Sequence, residues 1–364
     1  LAAPVPIMIF LILMILMFEL DKIPLMVIAG ITGPLGLIGA ILSLFLTRQP
    51  MGFVSIVGMQ QIFDQLRSRL IANLGGLPGD ALQLFLIGGG AEGLGILLGA
   101  ITTKGCAAEP WPGNPAPRMA EIPGGMINSV GLQNPGVAAF ARESGPWLEQ
   151  LSKDGCQVIC QVAGHSVDEF VRALEMYVEL CPWAAGYEIN VSCPNIAAGG
   201  AAMGSTPEGA SSVMAACRKV TDKPLFVKMA PVNVAEIAKA LEAAGADGLS
   251  VINSIQGMAI DVHTRKSRVA KPKGGLSGPL CHHIAVRMVW EVAQAVDIPI
   301  NGVGGVMTGE DAAEFILAGA TCVSVGMANF VDPCASLKIA HELEAWAESQ
   351  GVKDINELVG AFEC

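Results

Sequence analysis

Hydrophobic and polar positions change their pattern near residue 98. From there on, short runs rich in apolar and β-branched residues alternate with stretches in which apolar residues recur at helical spacing. The predicted strands cover 99–103, 157–162, 187–191, 225–229, 248–252, 298–303 and 322–325, and the predicted helices cover 166–180, 207–220, 234–244, 283–295, 309–318 and 334–348. This alternation predicts an α/β fold built on a parallel sheet.

An eighth strand is predicted at 82–87 (LQLFLI), directly before three glycines at 88–90. The segment 80–364 has a length close to that of a (β/α)8 TIM barrel, which takes roughly 250 residues. A doubly wound sheet fits the alternation equally well. The chemistry at the strand ends favours the barrel, although its first strand is the least regular.

The start of the chain is far more apolar than the rest. Residues 1–18 carry no charge, residues 23–46 carry none either, and Arg48 follows. Because about 20 apolar residues can cross a bilayer as a helix, we predict a transmembrane hairpin over 1–48 and a helical linker over 49–79. Arg48 then places the barrel in the cytoplasm, tethered to the inner membrane. A signal-peptide core, without the usual basic segment before it, and a misassigned gene start are the alternatives.

Composition narrows the function. The net charge of −11 argues against a nucleic-acid partner, which needs a basic face. None of the ten cysteines forms a C-x-x-C pair, and no Cys/His spacing indicates a zinc or iron–sulfur site, so we expect no metal. The cysteines are interpreted as reduced, buried thiols of a cytosolic protein. His282 and His283, at a helix start, are interpreted as surface or capping groups.

Polar side chains follow several predicted strands at their carboxyl ends, where the functional groups of such barrels lie. Four asparagines are expected to converge on one rim: Asn128, Asn190, Asn195 and Asn253. Their carboxamides both donate and accept hydrogen bonds, which suits a planar ring with alternating C=O and N–H groups. Lys104 and Lys228 add positive charge for a carboxylate, a phosphate or a reduced flavin. No catalytic histidine or carboxylate pair lies nearby, which disfavours hydrolysis.

Glycines follow the last two strands, Gly304 and Gly305 after one and Gly326 after the other. Glycine lets backbone N–H groups approach a phosphate, and barrels commonly bind phosphate at this place. Flavin mononucleotide (FMN) fits the amides, the lysines and the glycines together.

Four motifs carry a resemblance to a known family. NVSCPN at 190–195, GLQNPG at 131–136, GGLSGP at 274–279 and the tail at 302–333 resemble dihydroorotate dehydrogenases, and most closely the class 1B catalytic subunit. The resemblance covers about residues 98–335, and its motifs agree in order and spacing.

The resemblance implies an FMN enzyme that oxidises dihydroorotate to orotate in de novo pyrimidine (UMP) biosynthesis. Cys193 matches the catalytic base, which removes the C5 proton while a hydride leaves C6 for FMN N5. The positions that match orotate-binding residues are Lys104, Asn128, Gly131, Leu132, Asn190, Asn195, Asn253 and Ser254. The positions that match FMN-binding residues are Lys104, Lys228, Ile252, Gly278, Gly304, Gly305, Gly326 and Met327.

Class 1B resemblance also implies a homodimer of barrels and a partner subunit with FAD and a [2Fe–2S] cluster that passes electrons to NAD⁺. Fumarate, the class 1A acceptor, stays open, and so does quinone, although class 2 enzymes carry Ser at the position of Cys193. A related uracil or thymine dehydrogenase is an alternative, but those relatives often read Cys-Pro-His where this chain has Asn195. A tethered barrel without catalysis is another.

The chain departs from the family pattern at three places. The Ala-Ser-Gly-Thr loop expected after the first strand is missing, and residues 82–97 are its candidate replacement. Cys281, His282 and His283 stand where relatives often have Ile-Lys-Pro, and Gln161 replaces an expected Asn. Without this loop, the first strand and part of the flavin site have no match to the family pattern.

Overall fold

The computed structural model describes residues 98–192 and 203–363, together with the backbone of Leu84–Ile87. The chain divides into the units Leu1–Gly75 and Gly76–Cys364, and all described residues belong to the second. The predicted hairpin 1–48, the linker 49–79 and the site residues Cys193 and Asn195 lie outside the described residues. Within the described part, no helix combines the length and the apolarity that crossing a membrane requires.

The described residues form fourteen strands, which we number in chain order. They are β1 (Leu84–Ile87), β2 (Ala100–Thr102), β3 (Met119–Ile122), β4 (Gly125–Asn128), β5 (Gln157–Val162), β6 (Gly186–Asn190), β7 (Leu225–Lys228), β8 (Gly248–Val251), β9 (Ile255–Gly257), β10 (Ile260–Asp261), β11 (Lys266–Ser267), β12 (Gly274–Ser277), β13 (Ile300–Val303) and β14 (Cys322–Val325).

Eight of these strands close into a parallel barrel, in the order β1-β14-β13-β8-β7-β6-β5-β2. The predicted barrel is therefore confirmed. Strand β1 pairs in parallel with both β14 and β2 and so closes the ring. The irregular first strand forms where the apolar run at 82–87 predicted it.

Nine helices accompany the described strands. They are α1 (Val137–Glu143), α2 (Gly145–Lys153), α3 (Val167–Leu180), α4 (Pro207–Cys217), α5 (Val234–Ala243), α6 (His282–Ala293), α7 (Gly309–Leu317), α8 (Ala328–Val331) and α9 (Ala335–Ser349). All six predicted helices are confirmed, with ends shifted by up to three residues. Side-chain caps fix several starts: Ser166 accepts from Glu169 N, Thr206 from Gly209 N, and Thr308 forms a capping box with Asp311.

The two faces of the barrel strands differ in polarity. Outward-facing residues pack with the helices into one large apolar cluster. A separate small cluster lies inside the barrel, where Ala100 and Ile159 pack with Phe226 and Cys322. Side chains alternate between the two faces of a strand, so every second residue of a barrel strand points into the barrel. Polar side chains at these positions are buried inside the barrel.

A second sheet is built from the loops at the carboxyl ends of the barrel strands. Its antiparallel order is β3-β4-β12-β9. Strands β3 and β4 belong to the connection after β2, and β9 and β12 belong to the connection after β8. The sequence pattern did not predict this sheet, which carries Asn128 at the end of β4 and Ser254 just before β9.

Candidate active site

Three neighbouring barrel strands end in candidate site residues. Asn190 ends β6, Lys228 ends β7, and Asn253 follows β8 by two residues. Asn190 and Lys228 are partners in the sheet register, and so are Lys228 and Ser250. Asn253 is fixed because its backbone N–H donates to Met229 O at 2.9 Å. Of the four asparagines predicted to share one rim, Asn190 and Asn253 therefore lie at its centre, and Lys228 ends the strand between theirs.

A chain of side-chain hydrogen bonds links the rim to the barrel interior. Asn253 Nδ2 donates to Ser192 Oγ at 2.6 Å, and Ser192 Oγ donates to Asn190 Oδ1 at 2.8 Å. Asn190 Nδ2 then donates to Gln161 Oε1 at 3.0 Å, and Gln161 Nε2 donates to Glu188 Oε1 at 2.6 Å. The two rim amides are thus oriented by a continuous path that ends on a buried carboxylate.

The same carboxylate anchors a second arm of this path. Ser250 Oγ donates to Glu188 Oε2, and Asn301 Nδ2 donates to Ser250 Oγ at 3.1 Å. Ser324 Oγ in turn donates to Asn301 Oδ1 at 3.0 Å. Each carboxylate oxygen of Glu188 therefore accepts a hydrogen bond, as a buried charge requires.

Lys228 places a cation beside this carboxylate. Its side chain is buried, and burial holds the pKa of its ammonium below the usual value, while the charge of Glu188 opposes that shift. Within the described part of the chain, no hydrogen-bond acceptor engages its Nζ. A buried ammonium without a direct acceptor is costly, and an anion bound at the rim would offset that cost.

Asn128 and Ser254 meet at β12. Asn128 Nδ2 donates to Gly275 O at 3.2 Å, and a Cβ added at Gly275 would lie 2.1 Å from Ser254 Oγ. Glycine at this position therefore allows both side chains to approach the same strand. Ser254 N also donates to Asn253 Oδ1 at 2.8 Å, which connects this pair to the rim amides.

Gly131 and Leu132 lie in a turn with a left-handed backbone, with φ of 71° and 51°. The turn is held by Asn134, whose Nδ2 donates to Leu132 O at 2.8 Å and whose Oδ1 accepts from Gly136 N at 3.0 Å. No hydrogen bond between described residues joins this turn to the Asn190 chain. The structure leaves these two predicted substrate positions in a separate loop.

Lys104 follows β2, and its side chain is half-buried. Its carbonyl accepts a hydrogen bond from Cys106 Sγ at 3.6 Å. Burial raises the pKa of the Cys106 thiol to about 11, and the charge of Lys104 opposes that rise. Cys106 is thus a packed thiol rather than a nucleophile, as the sequence predicted for most of the cysteines.

The glycines that were predicted to bind phosphate lie in the loops that follow the last barrel strands, and several of them lie close together. A Cβ at Gly305, whose φ is 72°, would lie 2.7 Å from Gly278 O, and a Cβ at Gly278 would lie 3.2 Å from Met327 Cε. Gly304 lies against α6, with Ala285 Cβ at 2.6 Å from the position of its missing Cβ. At Gly326 an added Cβ would meet nothing within 4 Å, so open space adjoins the cluster. Ile252 is buried, and its N–H donates to Val303 O at 3.0 Å.

The sequence interpretation missed six residues of the hydrogen-bonded path around Glu188, which are Gln161 as a hydrogen-bonding group, Glu188, Ser192, Ser250, Asn301 and Ser324. The sequence held a signal for the strand residues among them. A polar residue within an apolar strand must find a hydrogen-bond partner when it is buried, which indicates polar contacts inside the barrel. Ser192 is buried, and it is the last described residue before the predicted base, Cys193.

The interpretation of His282 as a surface or capping group is wrong. Its side chain is buried and forms no cap, and Nε2 lies 2.9 Å from Glu314 Oε2. His282 lies in the first turn of α6 and close to Gly305, because a Cβ added at Gly305 would lie 2.9 Å from His282 Cβ. His283, one residue later, is 85% exposed.

Comparison with known proteins provides independent evidence about the family. Residues 91–346 match the family described as "Dihydroorotate dehydrogenase", and residues 36–106 match one described as "Protein of unknown function (DUF2523)". The first match begins after β1, so this barrel strand is supplied by residues outside the region shared with the family.

Curated relatives include proteins named "Dihydroorotate dehydrogenase B (NAD(+)), catalytic subunit" from two bacteria. The protein from Trichlorobacter lovleyi is 47% identical over 268 residues, which cover 73% of this chain and 87% of the relative. The protein from Geotalea uraniireducens is 48% identical over 267 residues, which cover 73% and 86%.

Among solved structures, the crystal structure of DHODH in complex with ferulenol from Eimeria tenella is similar, with a TM-score of 0.64 at 20% identity. The similarity covers 83% of this chain and 95% of that chain. At this identity it supports the barrel fold alone.

Proposed function

The chain belongs to the dihydroorotate dehydrogenase family, and we propose that it oxidises dihydroorotate to orotate in pyrimidine biosynthesis. The observation that carries the proposal is the rim formed by the ends of β6, β7 and β8. There, hydrogen bonds orient the carboxamides of Asn190 and Asn253 beside the buried ammonium of Lys228. Such a rim suits a planar, anionic pyrimidine, because amides pair with ring C=O and N–H groups and the cation offsets negative charge.

FMN fits the residues that the structure describes. The cluster of Gly278, Gly305 and Met327 adjoins the open space at Gly326, which suits a phosphate approached by backbone N–H groups. Lys228 lacks a hydrogen-bonded anion of its own among the described residues, and a reduced flavin would provide one. When bound, FMN supplies the acceptor for the substrate hydride.

We assign the substrate to one group of residues and the cofactor to another. Those proposed to bind dihydroorotate are Lys104, Asn128, Gly131, Leu132, Asn190, Asn195, Asn253 and Ser254. Those proposed to bind FMN are Lys104, Lys228, Ile252, Gly278, Gly304, Gly305, Gly326 and Met327.

Cys193 is the proposed base that removes the C5 proton. Support comes from the residue before it, because Ser192 N and Oγ are both within hydrogen-bond distance of Asn190 Oδ1, at 3.3 and 2.8 Å. Ser192, the residue directly before the proposed base, is thereby tied to the substrate rim. A base that is held in position next to the ring faces a smaller entropic barrier.

The test is anaerobic reduction of the FMN-loaded protein by dihydroorotate. We expect the flavin absorbance to bleach, and we expect Cys193→Ala to retain flavin while its reduction slows by about 10²–10⁴-fold, the usual contribution of a general base. Cys334→Ser is the matched control, because Cys334 is an exposed thiol on the described surface.

Two outcomes would contradict the proposal. If the protein binds no added FMN, FMN is excluded as its cofactor. Faster bleaching by dihydrouracil than by dihydroorotate would instead favour the uracil or thymine dehydrogenase alternative.

The electron acceptor is a further part of the proposal. We propose that electrons reach NAD⁺ through a partner subunit that carries FAD and a [2Fe–2S] cluster, in line with the words "NAD(+)" and "catalytic subunit" in the names of the relatives. Affinity purification of the chain from its native host should then recover an iron-containing flavoprotein and NAD⁺-dependent turnover. Turnover with fumarate by this chain without a partner subunit would point to the class 1A acceptor instead.

The segment 1–48 is proposed to anchor the barrel to the cytoplasmic face of the inner membrane. Deleting it should release the protein from the membrane fraction without changing flavin content. A full chain that stays in the soluble fraction without detergent would overturn the anchor and leave the enzymatic proposal intact.

A further inference from the structure

Two helices next to the predicted phosphate turn bring three metal-ligating side chains together. His282 and His283 begin α6, and Glu314 lies on α7. Their ligand atoms all lie within 4.8 Å of one another, and Glu314 Oε2 is 2.9 Å from His282 Nε2 and 3.6 Å from His283 Nδ1. We propose that these residues bind a divalent transition-metal ion of the zinc class.

The separations fit one ion. A tetrahedral zinc ion with ligands at about 2.0–2.1 Å places its ligand atoms about 3.3 Å apart. The two measured separations from Glu314 Oε2 lie on either side of that value. Small side-chain rotations would equalise them, since His283 is largely exposed and Glu314 is half exposed.

The number of donor atoms at the cluster also suits a divalent ion. A divalent ion can bind the carboxylate and the lone pairs of both imidazoles at once. Imidazole nitrogens with carboxylate oxygens suit zinc and its neighbours better than magnesium or calcium, which prefer oxygen ligands.

Asp311 offers a fourth donor. Its Oδ1 lies 3.7 Å from His282 Nε2. Its other oxygen, Oδ2, is already used, because it accepts from Met307 N at 2.8 Å and from Thr308 N at 2.9 Å. These two bonds fix the carboxylate of Asp311 and turn Oδ1 toward the histidine, in the way that outer hydrogen bonds orient metal ligands.

Other histidine–carboxylate pairs in the described residues lack this arrangement. His165 Nδ1 pairs with Glu169 at 3.0 Å and His341 Nδ1 with Glu344 at 3.7 Å, and each pair contains one imidazole. His165 is therefore a matched control: it forms a comparable, partly exposed pair with a carboxylate but offers only one imidazole, so it should not hold the ion.

The position of the cluster gives the ion a consequence, which rests on the proposed function. Because His282 packs next to Gly305, an ion would tie α6 to α7 beside the turn proposed to hold the FMN phosphate. We expect chelation to lower the melting temperature of the protein and to increase the loss of FMN on dialysis.

The experiment is a calorimetric zinc titration of the full chain after treatment with a chelator. We expect one saturable site that His283→Ala and Glu314→Gln each weaken by at least about tenfold, and that His165→Ala leaves unchanged. His283 is exposed, so its replacement should leave the fold intact. Cobalt(II) should give the visible bands of a tetrahedral site without thiolate charge-transfer absorption.

Three results would overturn the site: no saturable zinc binding, equal binding by His283→Ala and the unmodified chain, or a cobalt spectrum with thiolate charge transfer, which would place the ion on cysteines. Zinc titration does not depend on flavin. A protein that binds zinc but never binds FMN would therefore refute the proposed function and leave the metal site standing.

Discussion

Neighbouring residues of β5 and β6 point to opposite faces of the barrel sheet and make different kinds of contact. On the inner face, Gln161 and Glu188 are joined by a hydrogen bond of 2.6 Å. One residue earlier on each strand, Cys160 and Tyr187 face outward into the apolar cluster, where Tyr187 lies near Tyr177 of α3, with ring centroids 6.3 Å apart. The comparison teaches that burial alone does not separate the two faces, because all four side chains are buried.

What separates them is how their polar atoms are satisfied. On the outer face, burial raises the pKa of Cys160 and of Tyr187, and the Tyr187 hydroxyl has no hydrogen-bond partner in the described structure. On the inner face, both oxygens of Glu188 accept hydrogen bonds and a lysine lies nearby. The outer face stays neutral and packs, whereas the inner face keeps charges and orients the rim.

The largest effect should come from removing the inner carboxylate. Glu188→Leu leaves Gln161 Nε2 and Ser250 Oγ without their acceptor and isolates the charge of Lys228. We expect the free energy of unfolding, measured by urea denaturation, to fall by about 2–5 kcal/mol. Glu188→Gln is the control, because it keeps an acceptor for Gln161 and should lose much less stability. Equal stability of Glu188→Leu and the unmodified chain would contradict the role given to the inner face.

Removing the inner cation should affect binding more than folding. Lys228→Met is expected to weaken orotate and FMN binding while the fold persists. In the unmodified protein, burial lowers the pKa of Lys228, so it loses its proton at a lower pH than an exposed lysine and anion affinity falls early in the alkaline range. Lys228→Arg should retain affinity to higher pH, as measured by fluorescence titration of each variant.

Lys228 should give the stability of the fold the opposite dependence on pH. Between the lowered pKa of the folded state and the usual pKa of the unfolded state, unfolding takes up a proton, so the free energy of unfolding of the apoprotein should rise with pH. Urea denaturation across the alkaline range measures this slope. Its disappearance in Lys228→Met would assign it to this residue, and its persistence would assign it elsewhere.

Outer-face and helix thiols should be inert in the folded protein. Burial raises the pKa of Cys156 and of Cys217 to about 12, so neither forms a thiolate near neutral pH. A disulfide reagent should modify the exposed Cys334 before Cys156 and Cys217, which should react only after denaturation. Mass spectrometry of the labelled peptides checks the order, and early labelling of Cys217 would contradict it.

The smallest effect is expected from Tyr187→Phe. This change removes a buried hydroxyl without a partner among the described residues, so stability should stay the same or increase within about 1 kcal/mol. Because Tyr187 and Glu188 are adjacent on β6, their variants compare the two faces at one place. A loss of activity in Tyr187→Phe would show that the outer face also positions the rim.

Local sequence patterns predicted most of the barrel. Strands such as Gln157–Val162 and Leu225–Lys228 could be read from the sequence because buried parallel strands need apolar runs, and the lysines and asparagines at their ends marked the rim. The strand over 84–87 was predicted on the same ground. The antiparallel sheet was not, since strands such as Met119–Ile122 are short and partly exposed and show no clear alternation of apolar and polar residues.

The sequence by itself determined the order of the barrel strands and of the six predicted helices, the membership of the family and the residue types at the rim. Only the tertiary structure decided that Gln161 meets Glu188, that Glu188 meets Ser250, and that His282 meets Glu314, which lies 32 positions away. The physical reason is that a strand or helix depends on neighbours in sequence, whereas a hydrogen bond between buried groups depends on partners that only the closed barrel brings within reach.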